Sequence, residues 1–289
     1  MIGLSVSIVS YYHDLDVLDA TLNSLEAALA HLAGADDLIA DVILIDNSEH
    51  GQDETRLRQW LGNRPEPQLV FARARLSISG VNCGYGAANN AAQAMVDPVL
   101  NAIPTEQRWV LVLNPDVILE PEALTIALTS LRATPTASML CPRALDDHGA
   151  DLYLAHRYPS FSVLALRAAA PSSPGGWMAR HMERYECRDL PADKPHQQTI
   201  CASGCFMLMP LSSWQRSGGF DERFFLYFED YDLSCRLLTL GPVLYEPAVR
   251  IQHSGGQAAG KSWRHRKLFV QSAMLFFWRN GWPLPRTRP

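Results

Sequence analysis

The chain has no long hydrophobic run. No stretch of about 18 apolar residues passes without charge, so no membrane-spanning helix is expected. No basic segment precedes the first apolar run, and Asp14, Asp16 and Asp19 follow it directly, so no signal peptide is expected. A basic excess is also missing: 25 Lys and Arg face 30 Asp and Glu, for a formal net charge of −5. That balance argues against a nucleic-acid partner, which needs a basic footprint. Cysteine is sparse and scattered, at positions 83, 141, 187, 201, 205 and 235. Neither a disulfide framework nor paired zinc-ligand spacings emerge, and the usage suits a reducing cytosol. Charged residues make up only 19% against 47% hydrophobic, which excludes a disordered or coiled-coil chain. A length of 289 residues allows about one or two domains.

What is present is an alternation of strand and helix. Apolar strands are predicted over 4–10, 41–46 and 109–113, with a shorter one at Leu69-Val70-Phe71. Helical spacing predicts helices over 15–32, 54–61, 87–95 and from Pro121 to about Arg132. Nearly continuous Val, Ile and Leu strands between helices predict a mostly parallel sheet covered on both faces. Ligands on such sheets bind beyond the carboxyl ends of the strands. Three polar clusters fall there: Ser10-Tyr11-Tyr12, Asp46-Asn47-Ser48 and Asn114-Pro115-Asp116. Residues 146–198 are irregular, with a loop at 171–176, and 199–210 returns to strand-like sequence. A terminal helix is expected over 262–280.

Four further features carry chemistry. The segment 80–90, with Gly80, Gly84 and Gly86, leads into a helix and reads either as a nucleotide-contact loop or as a tight turn. Asp116 reads either as a divalent-metal ligand or as the N-cap of the next helix. Residues 218–236 interleave acids with aromatics; carboxylates so embedded have raised pKa values and suit general-base work. Helical spacing also allows Glu229, Asp232 and Arg236 to form an ion-pair row, with Asp230 pointing elsewhere. His253, ending a short strand, is either a structural histidine or a metal ligand.

In this order the segments resemble the inverting family-two glycosyltransferases with the GT-A fold, and most closely the bacterial rhamnosyltransferase-like branch. The matching pieces are 6–12, 43–48, 82–89, 113–116, 203–208, the 218–236 block with its Gly-Gly-Phe-Asp-Glu and Glu-Asp-x-Asp-Leu motifs, and His253. The resemblance implies an α/β fold: a Rossmann-like, mostly parallel sheet flanked by helices, with a C-terminal helical extension. A transferase domain would span 1–256, with a nucleotide half at 1–135 and an acceptor and catalytic half at 136–256, followed by a helical tail at 257–289. The donor would be bound by Ser10, Tyr11, Tyr12, Asp46, Asn82, Gly84, Gly86, Asn89, Asn114 and Asp116, with Asp46 accepting from the base imide. Asp116 and His253 would hold Mg²⁺ or Mn²⁺. Asp230 would be the catalytic base beside Glu229, and Ser203, Gly204 and Glu229 would border the acceptor. Asn114 stands where the generic Asp-x-Asp has its first acid, which fits this branch and removes one anionic ligand. Cys83 and Tyr85 replace the commoner Gly and Phe.

The resemblance further implies a dTDP- or UDP-sugar donor, with dTDP-rhamnose preferred over a UDP-hexose, and a glycan or polyprenyl-linked acceptor. Residues 156–161 and the run to Trp177 are read as an acceptor lid. The basic, aromatic helix over 262–280 either lies on an anionic bilayer at the inner face of the membrane, or packs through Phe269, Met274 and Phe277 on the domain. A homodimer is allowed. Two rival enzymes are disfavoured, a dinucleotide oxidoreductase and a nucleotidyltransferase, because each wants a Gly-rich loop after the first strand, where Ser10-Tyr11-Tyr12-His13 stands. The rival from another class is a non-catalytic nucleotide-sugar-binding protein.

Overall fold

A computed structural model describes residues 1–12, 14–49, 54–63, 72–78, 80–169, 176–253 and 263–282. The first part of the chain runs β1 (Ile2–Ser10), α1 (Leu15–Ala35), β2 (Leu38–Asp46), α2 (Glu54–Asn63), β3 (Ala72–Ile78), α3 (Tyr85–Ala94) and β4 (Arg108–Leu113). It continues with β5 (Val117–Leu119), α4 (Ala123–Ala133), β6 (Met139–Leu145), β7 (Ala155–His156), α5 (Phe161–Ala169) and α6 (Trp177–Tyr185). The last part holds β8 (His196–Thr199), β9 (Cys201–Ala202), β10 (Phe206–Pro210), α7 (Leu211–Ser217), α8 (Glu229–Leu238), β11 (Val243–His253) and α9 (Trp263–Asn280).

The main sheet has the order β3-β2-β1-β4-β10-β6-β11-β5, with β8 also paired to β11. Strands β1 to β4 pair in parallel. Strand β10 runs antiparallel to β4 and β6, and β11 runs parallel to β6 but antiparallel to β5 and β8. The expected parallel sheet is thus the N-terminal half, and the C-terminal half is mixed.

The two faces of β1 explain the layering. Ile2, Leu4, Val6 and Ile8 join the cluster shared with α1 and α4. Ser5 and Ser7 face α3, where Ser7 Oγ donates to Asn89 Oδ1 at 2.7 Å and Ser5 Oγ to Gln93 Oε1 at 2.8 Å. Small serines opposite an alanine-rich helix let the two backbones approach, and each hydroxyl finds its partner there.

Several expected boundaries move. The strand expected at 69–71 lies outside the described residues, as do Ser262 and residues 171–175 of the expected loop. Helix α4 starts at Ala123 with Glu122 in the cap position, so Asp116 is not its N-cap. The irregular segment 146–198 holds α5 and α6. Part of the expected lid is packed into the fold, whereas Phe161 and Trp177 are exposed. His156 is buried in β7, stacked on Tyr185 at 4.7 Å, and Tyr158 stacks on Phe276 at 5.3 Å.

Candidate active site

One side of the site is made of strand ends. β1 delivers Val9 and Tyr11, β2 delivers Asn47, and β4 delivers Asn114, Pro115 and Asp116 to a cavity of about 550 Å³. Asn47 pins the loop before α3: its amide donates to Asn82 Oδ1 at 3.0 Å and Gly84 O at 3.3 Å, and its Oδ1 accepts from Cys83 N at 3.0 Å. Gly84 has φ +89°, and a Cβ there would press into the Phe225 carbonyl, so only glycine lets the loop dock on the opposite side of the cavity.

The other side comes from the C-terminal half. It comprises Ser203, Gly204 and Cys205 before β10, residues 225–227, Glu229 and Asp230 at the start of α8, and Arg264, His265 and Leu268 of α9. Tyr227 and Phe228 both adopt left-handed backbone, φ 71° and 66°, just before the Glu229-Asp230 pair. Such conformations cost of order 1–3 kcal/mol each and persist only where neighbours enforce them. Here α9 does so: Ser272 Oγ donates to Leu226 O at 2.8 Å, and Tyr227 Oη lies 3.0 Å from His265 Nδ1.

Asp230 is held rigidly. Its Oδ2 accepts from Gly204 N at 2.9 Å and its Oδ1 from Tyr231 N at 2.8 Å. Tyr85 ties the two sides together, its phenol lying 2.8 Å from both Asn114 Oδ1 and Gly204 O. One phenol proton serves one acceptor fully, and turning the Asn114 amide so that it donates to the phenol satisfies both contacts. Burial raises the Tyr85 pKa well above its ordinary value, so it is a neutral hydrogen-bonding group.

Burial, and then the charge of Asp230, raise the Glu229 pKa well above the usual carboxylate range. Glu229 Oε2 has no hydrogen-bond partner among the described residues. A neutral carboxyl facing the cavity can donate a hydrogen bond, while its neighbour Asp230 accepts. Glu229 is therefore outside the predicted ion-pair row. Asp232 pairs with Arg236 at 2.8 Å and with Arg279 of α9 at 3.0 Å.

The β11–β5 register sets His253 opposite Val117, next to Asp116. His253 Nε2 consequently stands 3.3 Å from Asp116 Oδ1. An imidazole nitrogen and a carboxylate oxygen converging this closely are a donor set that suits a divalent cation. No group of three or more His, Cys, Asp or Glu side chains is clustered among the described residues, so other ligands would come from substrate or water.

Of the predicted donor residues, Tyr11, Asn82, Gly84, Asn114 and Asp116 border the cavity, as do Ser203, Gly204, Glu229 and Asp230. Ser10 is buried in β1, and its carbonyl accepts from Asn47 N at 2.8 Å. Tyr12 reaches Glu49 O at 3.4 Å. Asp46 is fully buried, accepting from Ser48 N and Ser48 Oγ at 2.9 Å each. Gly86 packs against Phe220, and Asn89 bridges Ser7 and the Tyr85 carbonyl. Neither borders the cavity. Arg264 and His265 are among the cavity residues that have no site role in the sequence reading. The clue to these two is the basic run 264–267, whose sequence fits either a bilayer surface or packing on the domain.

No protein-family model matches the chain. N-acetylglucosaminyl-diphospho-decaprenol L-rhamnosyltransferase of Mycobacterium tuberculosis is 30% identical over 246 residues, covering 82% of this chain and 74% of that protein. Rhamnosyltransferase WbbL of Escherichia coli K12 is 29% identical over 181 residues, covering 61% of this chain and 62% of its own. Among solved structures, GalNAc-T7 with UDP, GalNAc and Mn²⁺ superposes with a TM-score of 0.61 at 12% identity, covering 96% of this chain and 47% of that one. Mannosyltransferase PcManGT from Pyrobaculum calidifontis, with GDP-Man and Mn²⁺, gives 0.57 at 14% identity, covering 96% and 63%. The chain thus spans less than two thirds of either solved chain, and at these identities the likeness shows the fold, which is GT-A. With the extent of its match to the mycobacterial enzyme, the chain belongs to the rhamnosyltransferase family of glycosyltransferases.

Proposed function

We propose that the chain transfers L-rhamnose from dTDP-rhamnose, with inversion, to a hydroxyl of a lipid-linked or growing cell-surface glycan. The observation that carries this reading is the meeting of Asp230 and Asp116 at one cavity, with His253 beside Asp116. The mycobacterial relative is named for an N-acetylglucosaminyl diphospho-decaprenol acceptor, which sets the acceptor class proposed here. Asp230 accepts the proton of the attacking hydroxyl. The oxygen–C1 bond forms as the bond from C1 to the diphosphate breaks, and dTDP leaves. Glu229, protonated, donates a hydrogen bond that orients the acceptor. Asp116 and His253 are the residues that would hold Mg²⁺ or Mn²⁺, which when bound neutralises charge on the diphosphate. Arg264 adds a fixed positive charge to the same cavity.

Docking on a bilayer belongs to the same proposal. No helix of the described residues is long and apolar enough to cross a membrane. On α9, Phe277 and Phe276 are buried, whereas Trp263, Val270, Met274 and Trp278 are exposed. Positions 263, 270, 274 and 278 fall on one face at about 3.6 residues per turn. No acid follows Glu246, while Arg264, Arg266 and Lys267 stand on α9 and Arg279 is paired with Asp221 and Asp232. An apolar stripe flanked by cations, in a chain of net charge −5, fits an anionic lipid surface on the cytoplasmic side. The same helix borders the cavity, so docking brings the site to a lipid-linked acceptor.

The test is calorimetric binding of dTDP, UDP and GDP with and without Mn²⁺, followed by transfer from dTDP-rhamnose to an N-acetylglucosaminyl diphospho-polyprenol. Metal-dependent preference for dTDP and formation of the rhamnosylated lipid support the reading. Preference for UDP with no rhamnose transfer would replace the donor, and nucleotide binding without any turnover would favour a binding protein. Sedimentation with phosphatidylglycerol vesicles but not phosphatidylcholine vesicles, lost in Trp278→Ser with Met274→Ser, tests the surface.

A further inference from the structure

Helix α9 meets the turn before α8, and the first turn of α8 itself, along one face. His265 Nδ1 lies 3.0 Å from Tyr227 Oη, and Ser272 Oγ donates to Leu226 O at 2.8 Å. The rings of Phe269 and Phe276 stand 5.2 and 5.3 Å from the ring of Phe228. At the end of the helix, Arg279 Nε and Asn280 Nδ2 reach Asp232 Oδ1 at 3.0 and 2.9 Å. Positions 265, 269, 272, 276 and 279 advance by alternate steps of four and three, so they share one side of α9.

The contacts on this face differ in how closely they fix the helix. Aromatic rings attract over centroid separations of about 4.5–7 Å, so a slide of about 1 Å leaves them in contact. The same slide carries the bonds to Asp232 out of hydrogen-bond range. Asp232 is fully buried, and a buried carboxylate is tolerated only where its partners meet it. Its Oδ2 accepts from Arg236 Nε at 2.8 Å within α8, which leaves Oδ1 for donors from outside that helix. Arg279 and Asn280 are those donors, and a buried ion pair is best attested as a device that fixes register.

The register of α9 bears directly on Asp230. Asp232 N donates to Phe228 O at 2.8 Å, so the residue that α9 grips is bonded to the turn. Tyr227 and Phe228 have φ of 71° and 66°, which residues with side chains keep only when neighbours enforce it. Asp230 lies between that turn and Asp232, with its Oδ2 accepting from Gly204 N at 2.9 Å.

We propose that Arg279, assisted by Asn280, is a positioning residue for the transfer. By locking α9 onto Asp232 it keeps the turn at 227–228 left-handed and so aims the Asp230 carboxylate. The inference rests on the reading of Asp230 as the base. Arg279 also pairs with Asp221, through Nη1 at 2.5 Å, and that separate contact serves as a control.

Three readings on the full chain test it: transfer from dTDP-rhamnose to an N-acetylglucosaminyl diphospho-polyprenol, dTDP affinity with Mn²⁺, and amide exchange at Gly204 followed by NMR. Arg279→Met is expected to lower kcat tenfold or more, with dTDP affinity within twofold of wild type and faster exchange at Gly204. Arg279→Lys, which keeps the charge without the planar fork, recovers part of the loss. Asn280→Ala, which keeps the ion pair, lowers kcat a few-fold. Asp221→Asn leaves kcat and exchange within twofold. Unfolding midpoints establish which variants fold, and Asn280→Ala decides the matter if Arg279→Met does not. The proposal is overturned if Arg279→Met lowers only the midpoint, with kcat and Gly204 exchange as in wild type. It is equally overturned if Asp221→Asn costs as much kcat as Arg279→Met, or if dTDP affinity falls in parallel with kcat. A wild-type chain that transfers no rhamnose would strike the transferase reading instead, and Gly204 exchange would still decide whether Arg279 holds Asp230 in place.

Discussion

The two sides of the active-site cavity are built on different principles. The N-terminal side is a row of strand ends, in which amides dominate: Asn47, Asn82 and Asn114, with Asp116 as the one carboxylate. Its geometry comes from the parallel register of β1, β2 and β4, and from Asn47 stapling a loop around Gly84. The C-terminal side is a strained loop and the first turn of α8, carrying two adjacent carboxyls, and it is held from outside by α9. One side offers backbone and amide contacts at fixed positions. In the proposed reading the other does proton chemistry, and it carries the left-handed Tyr227 and Phe228 next to the two carboxyls. Tyr85 and the Asp116–His253 pair couple them.

The comparison can be broken from either side. The largest effect is expected from Asp116→Ala. Removing the carboxylate should cut turnover at least about 100-fold and abolish metal-dependent nucleotide binding, because a metal on a leaving group is worth several kcal/mol. Paired calorimetry and turnover assays check this. His253→Ala should act in the same direction, less strongly.

Glu229 tests the other side. In the proposed reading its carboxyl is protonated and donates, as its raised pKa favours, so Glu229→Gln, which keeps a donor, should raise the acceptor KM only a few-fold. Glu229→Ala should raise it by about tenfold or more, the worth of a desolvated hydrogen bond. Its pKa is raised in the fold, so its contribution to stability is fully present below the unfolded value of about 4.3 and is lost as pH rises through the folded value. Glu229→Gln should therefore flatten the decline of the unfolding midpoint on the alkaline side.

Tyr85→Phe should be milder than Asp116→Ala. The contact between the sides loses the two hydrogen bonds of the phenol, each worth about 0.5–1 kcal/mol, which predicts a fall in kcat/KM of roughly five- to thirtyfold with the fold intact. The smallest effect is predicted at Asp221. Arg223, and then Arg279 of α9, pull its pKa down to about 2 against partial burial. That contribution to stability is present above the unfolded Asp value of about 3.9 and is lost as pH falls through about 2. Asp221→Asn should lower the unfolding midpoint slightly at neutral pH and remove that acid sensitivity.

How far the sequence revealed each side follows from the same difference. The parallel strands are continuous apolar runs, so their carboxyl ends, and with them Tyr11, Asn114 and Asp116, could be placed from pattern alone. The C-terminal half of the chain has short strands such as Cys201–Ala202, which pairs with Ala155–His156 in a separate two-stranded sheet, a pairing settled only in three dimensions. Asp46 stood out as the acid at a strand end; its carboxylate accepts from Ser48 N and Ser48 Oγ, and its neighbour Asn47 borders the cavity. No periodicity distinguishes the two, because a turn follows the strand at that point. The 218–236 block advertised its carboxyls by embedding them among aromatics, and Glu229, Asp232 and Arg236 do share α8, but only Asp232 and Arg236 pair, because the first turn of the helix sets Glu229 at the cavity. The terminal helix was legible as a helix. That it does two jobs, exposing Met274 while burying Phe277 and presenting Arg264 and His265 to the cavity, needed the tertiary packing.

The most direct test is Asp230→Asn, read by two measurements on the same preparation: rhamnose transfer from dTDP-rhamnose, and dTDP affinity in the presence of Mn²⁺. The substitution keeps the shape and removes the base. The account predicts a fall in transfer of about 10²–10⁴-fold, the usual worth of a positioned general base, with dTDP affinity unchanged. Transfer at the wild-type rate, or equal losses of transfer and nucleotide affinity, would contradict it.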